Sequence, residues 1–395
     1  MNIHSRIKEL SEEYFNEALA IRRHIHQHPE LSFQEFETSK YIQSKLEEYG
    51  IPFKAGFVKT GILGRIEGKK GPGKTIALRA DMDALPIQET NDIPFCSVNN
   101  GVMHACGHDI HSAGLLATAK ILKTLEDEIE GTILLVFQPA EESHPGGAKL
   151  MLEEGLFEDQ EPDMMMALHV LPEMPAGTVG FKSGMYMASG DEIHFKIKGQ
   201  GGHGALPHKV TDTVLATAQV ITSLQQVVSR NAPPAIPSVL SFGKVIADGA
   251  TNIIPNEVTV AGTFRTMNEE WRAKAKKRME TIATSVAEAH DTNCEFKVLH
   301  GYPVLYNDEK VTSIARTEAS NLLGEDKVVD MDIRMTCEDF AYYSLKYPVT
   351  FFRLGVKSPE ATKSSALHTP TFMADEQALK TAMQTLSAIT LKLLQ

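Results

Sequence analysis

Over its first half the chain alternates two kinds of hydrophobic pattern. Residues 5–28 carry apolar positions at helical spacing and stop at His28-Pro29, where the proline blocks continuation. A second helix is predicted over 34–49, with Phe36, Ile42, Leu46 and Tyr49 on one side and Gly50 as terminator. Short runs with almost no polar interruption follow at 75–80, 131–138 (GTILLVFQ) and 164–170, and each reads as a buried strand. Between them, 110–124 and 146–152 return to helical spacing. Strands alternating with helices predict an α/β fold: a mixed, mostly parallel sheet covered by helices.

From Gly190 onward the period changes. Residues 191–198 (DEIHFKIK) alternate polar and apolar, the mark of a half-exposed strand. A helix over 211–229, strands over 238–246 and 256–266, a helix over 269–290 and a strand over 294–299 complete the order β-α-β-β-α-β. That order predicts a ferredoxin-like unit. After 300–303 the chain resumes helix, strand (349–354) and a last helix (375–394). We therefore expect one discontinuous α/β domain, 1–189 with 300–395, interrupted by an inserted domain at 190–299.

Composition narrows the class. The 395 residues are 42 % hydrophobic and 23 % charged, the balance of a globular enzyme-sized protein. A net charge of −12 argues against nucleic acid as a partner, since a phosphate backbone calls for a basic stripe. There is no apolar run long enough to span a bilayer, so no membrane partner is expected. Residues 1–10 are polar and charged, without a secretory pattern, and four cysteines in so long a chain do not make a disulfide framework. A cytoplasmic protein is the expectation.

One familiar pattern fails its context. Residues 68–75, GKKGPGKT, satisfy G-x-x-x-x-G-K-[ST], but a phosphate cradle needs a helix to begin at the Lys-Thr. Here Thr75 opens the strand TIALRA, and Pro72 removes an N–H from the would-be cradle. A hairpin turn between two strands is predicted instead.

The chemistry concentrates elsewhere. Segment 103–109, MHACGHD, holds Cys106 and His108 two apart in what reads as an extended stretch, so both project to one side. A thiolate and an imidazole suit Zn²⁺ and its late first-row neighbours; the same pair also admits a cysteine nucleophile with a histidine base. Glu141 and Glu142 follow the strand GTILLVFQ, at the carboxyl end where α/β sheets build their sites. Adjacent carboxylates there need a cation or a proton to compensate them. His169 ends the strand MMMALHV and His368 lies in a loop; each alone is as readily a hydrogen-bonded histidine as a ligand. Together these pieces offer a thiolate, three imidazoles and a carboxylate, too many for one tetrahedral zinc and suited to two metals.

The chain resembles the M20 peptidase family, in its aminoacylase and hippurate hydrolase-like branch of N-acyl-L-amino acid amidohydrolases. The resemblance is carried by RRHIHQHPELSFQE (22–35), RADMDALPIQE (79–89), MHACGHD (103–109), FQPAEE (137–142) and KGQGGHGALPH (198–208). GATNIIPNEV (249–258), GTFRT (262–266), CEDFAYY (337–343) and LHTPTF (367–372) extend it to nearly the whole chain. It implies two divalent metal ions, Zn²⁺ or Mn²⁺ with Co²⁺ and Ni²⁺ also compatible, on Cys106, His108, Glu142, His169 and His368. It implies Glu141 as general base and Asp83 as a carboxylate that orients a ligand. The inserted domain would serve as lid and dimerisation surface, with a homodimer or higher homo-oligomer expected. His203 would reach the partner subunit's site, and Asn252 and Arg265 would recognise an N-acyl amino acid. His144, in a longer link after the paired glutamates, and the proline-rich 231–237 depart from the branch's pattern.

Overall fold

The computed structural model describes residues 2–360 and 365–395, and it divides them into two compact units. The first comprises 2–184, 306–332 and 342–395; the second comprises 185–305 and 333–341. The stretch 333–341 thus belongs to the inserted unit, whereas the hydrophobic pattern placed everything after 300 in the first domain.

The first unit is built on an eight-stranded sheet. Its strands in chain order are β1 (Phe53–Phe57), β2 (Gly61–Glu67), β3 (Thr75–Asp81), β4 (Thr132–Gln138), β5 (Met164–Pro175), β6 (Val179–Phe181), then Val328–Asp330 and Val349–Lys357. In space the order is β1-β2-β4-β3-β5, then Val349–Lys357, β6 and Val328–Asp330. The pairings from β4 through β3 and β5 to Val349–Lys357 are parallel, and β1, β2 and β6 join antiparallel to their inner neighbours. All seven residues of β3 and of β4 are buried, which is why these segments read as continuous apolar runs. The hairpin β1-β2 went unread in the sequence because an edge strand with mostly exposed residues lacks that signal.

Residues 68–74 do not form the expected hairpin turn. They link β2 to β3, but β4 lies between those two strands, so the segment is a crossover. It folds against the start of β4 through Gly68 N–H to Gly131 O (2.9 Å) and Gly131 N–H to Gly71 O (2.9 Å).

Helix α1 (Ile3–Gln27) packs on α3 (His108–Thr124) and Ala378–Leu394, which with Glu309–Leu323 lie against this sheet; α2 (Phe36–Glu48) and α4 (Gly147–Glu153) flank the β1-β2 side. Fourteen of the seventeen residues of α3 are buried, so this helix is sandwiched rather than amphipathic. Burying one Leu or Ile of this core stabilises the fold by about 1.5–3 kcal/mol. Among the described residues, no helix is long and apolar enough to cross a membrane.

The second unit is a four-stranded antiparallel sheet, in the order Ser238–Ile246, Glu257–Thr266, Ser189–Lys198, Asn293–Leu299, with helices Thr213–Leu224 and Glu269–Glu288. This is the βαββαβ topology predicted from strand order. Ile193, Phe195 and Ile197 alternate inward to meet Val220, Leu224, Ala275 and Met279. Both helices start on side-chain caps: Asp212 accepts from Val214 and Leu215 N–H, and Asn268 from Trp271 N–H. The predicted helix 211–229 is shorter, ending at Leu224 and followed by a single π turn, Val227–Asn231, before the prolines of 231–237.

Candidate metal centre

The site assembles beyond the carboxyl ends of β3 and β4 and beside the middle of β5: His169 does not end its strand as expected, because β5 runs on to Pro175. Cys106 and His108 do not share an extended stretch as expected. Between them Gly107 takes φ +82°, in the left-handed region, and His108 opens α3. A Cβ at Gly107 would stand 2.5 Å from Val170 Cγ2, so both the turn and the close approach require glycine. The sharp turn, rather than strand alternation, brings the two side chains together.

Cys106 Sγ lies 3.4 Å from His169 Nε2 and 3.3 Å from His368 Nε2. His368 Nε2 is 3.2 Å from Glu142 Oε1, which is 4.0 Å from His108 Nε2. The donor atoms fall into clusters: Cys106 with His108 and His169, Cys106 with Glu142 and His368, and His108 with Glu141 and Glu142. Five residues proposed from sequence as ligands, and Glu141, therefore converge on one place, with Cys106 common to two trios.

The surroundings aim these groups. His108 Nδ1 faces Asp83 twice, 2.9 Å from its backbone oxygen and 3.2 Å from Oδ1, so Nδ1–H donates and Nε2 points into the cluster. His108 Nε2 is buried and has no hydrogen-bond partner. His169 Nδ1 donates to Val170 O (2.8 Å), which leaves its Nε2 lone pair toward Cys106. A buried imidazole nitrogen without a partner, beside a thiol, two more imidazoles and a carboxylate, fits a borderline-soft divalent cation.

The electrostatics agree with that fit. Burial opposes protonation of His108, but Asp81, Asp83 and Glu142 outweigh it and hold its pKa up at about 10. The carboxylates that would retain a proton there would equally retain a cation. Burial, then Glu142, Glu141 and Asp81, push the Cys106 thiol well above its ordinary value. That is the opposite of what a cysteine nucleophile needs, since the thiolate is the reactive form. Burial, followed by Arg353 and His111, holds His169 neutral.

Asp83 is buried and accepts four hydrogen bonds: His108 Nδ1 and Glu141 N–H (3.1 Å) on Oδ1, Ser32 Oγ (2.6 Å) and Glu142 N–H (3.0 Å) on Oδ2. It ties the histidine of one segment to the glutamates of another. Burial raises its pKa, but His108, Ser32 and the Glu142 N–H outweigh this and hold the carboxylate below its ordinary range.

Four further residues carry the site without having been singled out in the sequence. Asp81 receives His111 Nδ1–H (2.6 Å) and Arg79 Nη1 (2.6 Å), and Arg79 Nε donates to Gln138 Oε1 (2.9 Å). His111 Nε2 accepts the N–H of Val170 (2.9 Å), pinning the strand beside His169. Glu35 receives the N–H of Ala140, directly before the paired glutamates (2.9 Å). Burial and then Asp83 push its pKa up to about 7. The available signal was Arg79 and Asp81, opposite charges two apart in a strand otherwise apolar after Thr75, hence on one face and paired.

The remaining sequence candidates lie in the second unit. His203 sits on the short strand Gly202–His203, which pairs with Ile253–Ile254 next to Asn252. Its Nδ1 accepts Ala205 N–H (3.1 Å), so the ring hydrogen is on Nε2, and the side chain is exposed. Arg265 Nε donates to Thr263 Oγ1 (3.0 Å), and its Nη1 rests on Cys337 Sγ. In the first unit, His144 is exposed on the link after Glu142.

Residues 77–392 match the model of peptidase family M20/M25/M40. The chain is 44 % identical over 304 residues to an N-acyl-L-amino acid amidohydrolase of Geobacillus stearothermophilus, covering 77 % of this chain and 81 % of that protein. It is 36 % identical over 383 residues to thermostable carboxypeptidase 2 of Saccharolobus solfataricus, covering 96 % of each. Among solved structures it resembles the Bacillus subtilis YXEP protein, a dinuclear metal binding peptidase from the M20 family. The TM-score is 0.83, with 35 % identity, covering 97 % of this chain and 99 % of that one.

Proposed function

The chain belongs to peptidase family M20/M25/M40 and is a metal-dependent hydrolase of it, and from that premise we propose a narrower activity: hydrolysis of the amide bond of N-acyl-L-amino acids. The observation that carries this reading is the pair of donor trios that share Cys106, with Glu141 beside them. Cys106, His108, Glu142, His169 and His368 would hold two divalent cations, of which Zn²⁺ and Mn²⁺ suit the mixed donor set best. Such a pair supplies a more acidic water and a polarised carbonyl.

The chain's own residues do the rest. Glu141, its backbone fixed by Asp83, takes the proton of the attacking water and returns it to the departing amine. His203, protonated on Nε2, donates to the carbonyl oxygen as negative charge develops there, supplied from the second subunit of a dimer. Arg265 grips the free carboxylate of the amino acid, and Asn252 assists. Exposed apolar residues of the second unit, among them Leu215, Val245, Ile246 and Ile253, support its role as a lid and dimerisation surface. Four free thiols suit a reducing, cytoplasmic setting.

A carboxypeptidase reading uses the same donors, and the Saccharolobus relative favours it. One experiment separates the two. Metal-stripped protein is offered N-acetyl and N-benzoyl amino acids alongside dipeptides, with and without Zn²⁺ or Mn²⁺, and free amine is measured. Metal-restored release from acyl amino acids alone is the expected result. Release from dipeptides alone would replace the proposal with the peptidase reading, and release indifferent to chelation would refute both.

A further inference from the structure

The motif 22–35 ends in a carboxylate that the proposed reaction leaves without a task. Glu35 is fully buried. Its Oε1 accepts the N–H of Phe33 (2.9 Å) and of Ala140 (2.9 Å), and its Oε2 accepts Thr60 Oγ1 (2.8 Å). Both backbone donors belong to residues in the left-handed region, Phe33 at φ +65° and Ala140 at φ +53°. Side chains with a Cβ adopt that conformation only when something compensates the crowding. Here one carboxylate holds both.

Ala140 sets the direction of the two glutamates after it. The N–H groups of 140, 141 and 142 all end on buried carboxylates, the first on Glu35 and the next two on Asp83. The turn closes by Gly147 N–H to Ala140 O (3.0 Å), at a position where a Cβ on Gly147 would stand 1.7 Å from Pro139 O. If Ala140 relaxed to a negative φ, its N–H would leave Glu35 and the next two residues would rotate away from Asp83. Glu141 and Glu142 would then lose their division of labour. We propose that Glu35 is a positioning residue, which acts through the left-handed Ala140 to hold Glu141 over the substrate and Glu142 on the metals. The inference rests on the roles proposed above for those two glutamates.

The test compares Glu35→Gln, Glu35→Leu and Thr60→Val with the wild type, each also in an Ala140→Gly background. Two readouts are taken: Zn²⁺ affinity by competition with a chromogenic chelator, and kcat and KM on N-acetyl-L-methionine. Glutamine keeps one oxygen for both N–H groups and should hold kcat within about threefold, whereas leucine should lower kcat about 100-fold, the scale set by small misplacements of a catalytic group. Zn²⁺ affinity should fall about tenfold in Glu35→Leu, with KM little changed. Glycine takes a positive φ without crowding, so Ala140→Gly should return most of the lost kcat and affinity. A merely structural role for Glu35 would not be rescued in that way.

Equal kcat and Zn²⁺ affinity in wild type and Glu35→Leu would overturn the inference, as would a loss that Ala140→Gly leaves untouched. Should Glu35→Leu not fold, Thr60→Val decides, because it frees only Oε2: the expected result is a several-fold loss of kcat and Zn²⁺ affinity reversed by Ala140→Gly, and no loss overturns the proposal. A wild type inactive on every acyl amino acid would count against the proposed reaction, and the Zn²⁺ readout would still judge Glu35.

Discussion

Replacing Asp83 by asparagine changes one atom and should disturb two segments at once. Each carboxylate oxygen serves two donors: His108 Nδ1 and Glu141 N–H on one, Ser32 Oγ and Glu142 N–H on the other. Asparagine keeps one acceptor and turns the other into a donor. In the cheaper orientation the amide nitrogen faces Ser32, which can rotate to accept, and Glu142 N–H, which cannot. A charge-assisted bond of about 1.5–3 kcal/mol is lost and a buried donor is stranded at about 1–3 kcal/mol, so the variant should be less stable by roughly 3–6 kcal/mol. Against a total of about 5–15 kcal/mol, that is a large share. The freed Glu142 should also weaken metal binding by about 10–100-fold. Urea denaturation of the chelator-treated protein gives the first quantity and Zn²⁺ competition the second. A stability loss under about 1 kcal/mol, together with Zn²⁺ affinity within about threefold of wild type, would refute the account of Asp83 as the clamp between helix and turn.

Three further outcomes are expected. Glu141→Gln should keep its metal stoichiometry while kcat falls by about 10²–10⁴; undiminished turnover would remove Glu141 from the base role. His203→Ala should lose about 10²–10³ in kcat with metal content unchanged, and mixing it with Glu141→Gln should restore activity if subunits share the site; no recovery would confine the site to one chain. Glu89 bears on acid stability: burial opposes its ionisation, but His26, the Ser97 N–H and Asn91 outweigh that and lower its pKa from 4.5 to about 2. A lowered folded pKa stabilises above the unfolded value and loses that contribution as pH falls from about 4.5 toward 2, roughly 3 kcal/mol in all. Glu89→Gln should therefore show a flatter fall in urea midpoint between about pH 5 and 3 than wild type, and parallel curves would contradict the assignment.

The two units differed in how much their residues disclosed. Strands β3 and β4 announced themselves because central parallel strands are apolar on both faces, and the second unit because its strands alternate. Edge strand β1 and the short β6 carry neither signature. Ligand-type residues could be read individually, but their convergence depended on a left-handed glycine between Cys106 and His108, where strand alternation gave the wrong geometry. The buried partners were harder. Arg79 and Asp81 gave a local signal, but the bonds that tie Glu35 and Asp81 into the site come from Ala140, 105 positions away, and His111, 30 positions away.

The placement of strand Val349–Lys357 inside the first unit's sheet, parallel to β5, has a consequence for synthesis on the ribosome. This inner strand leaves the exit tunnel after the other seven strands of its sheet, and His368 leaves later still. Until then β5 presents an unpaired, largely apolar edge, the kind of surface that recruits chaperones or nucleates aggregation. The inserted unit's main segment, 185–305, is complete some forty residues earlier and can fold while the nascent sheet is still open. A chain released between 341 and 349 would thus carry a finished insert on an unfinished, metal-incompetent sheet.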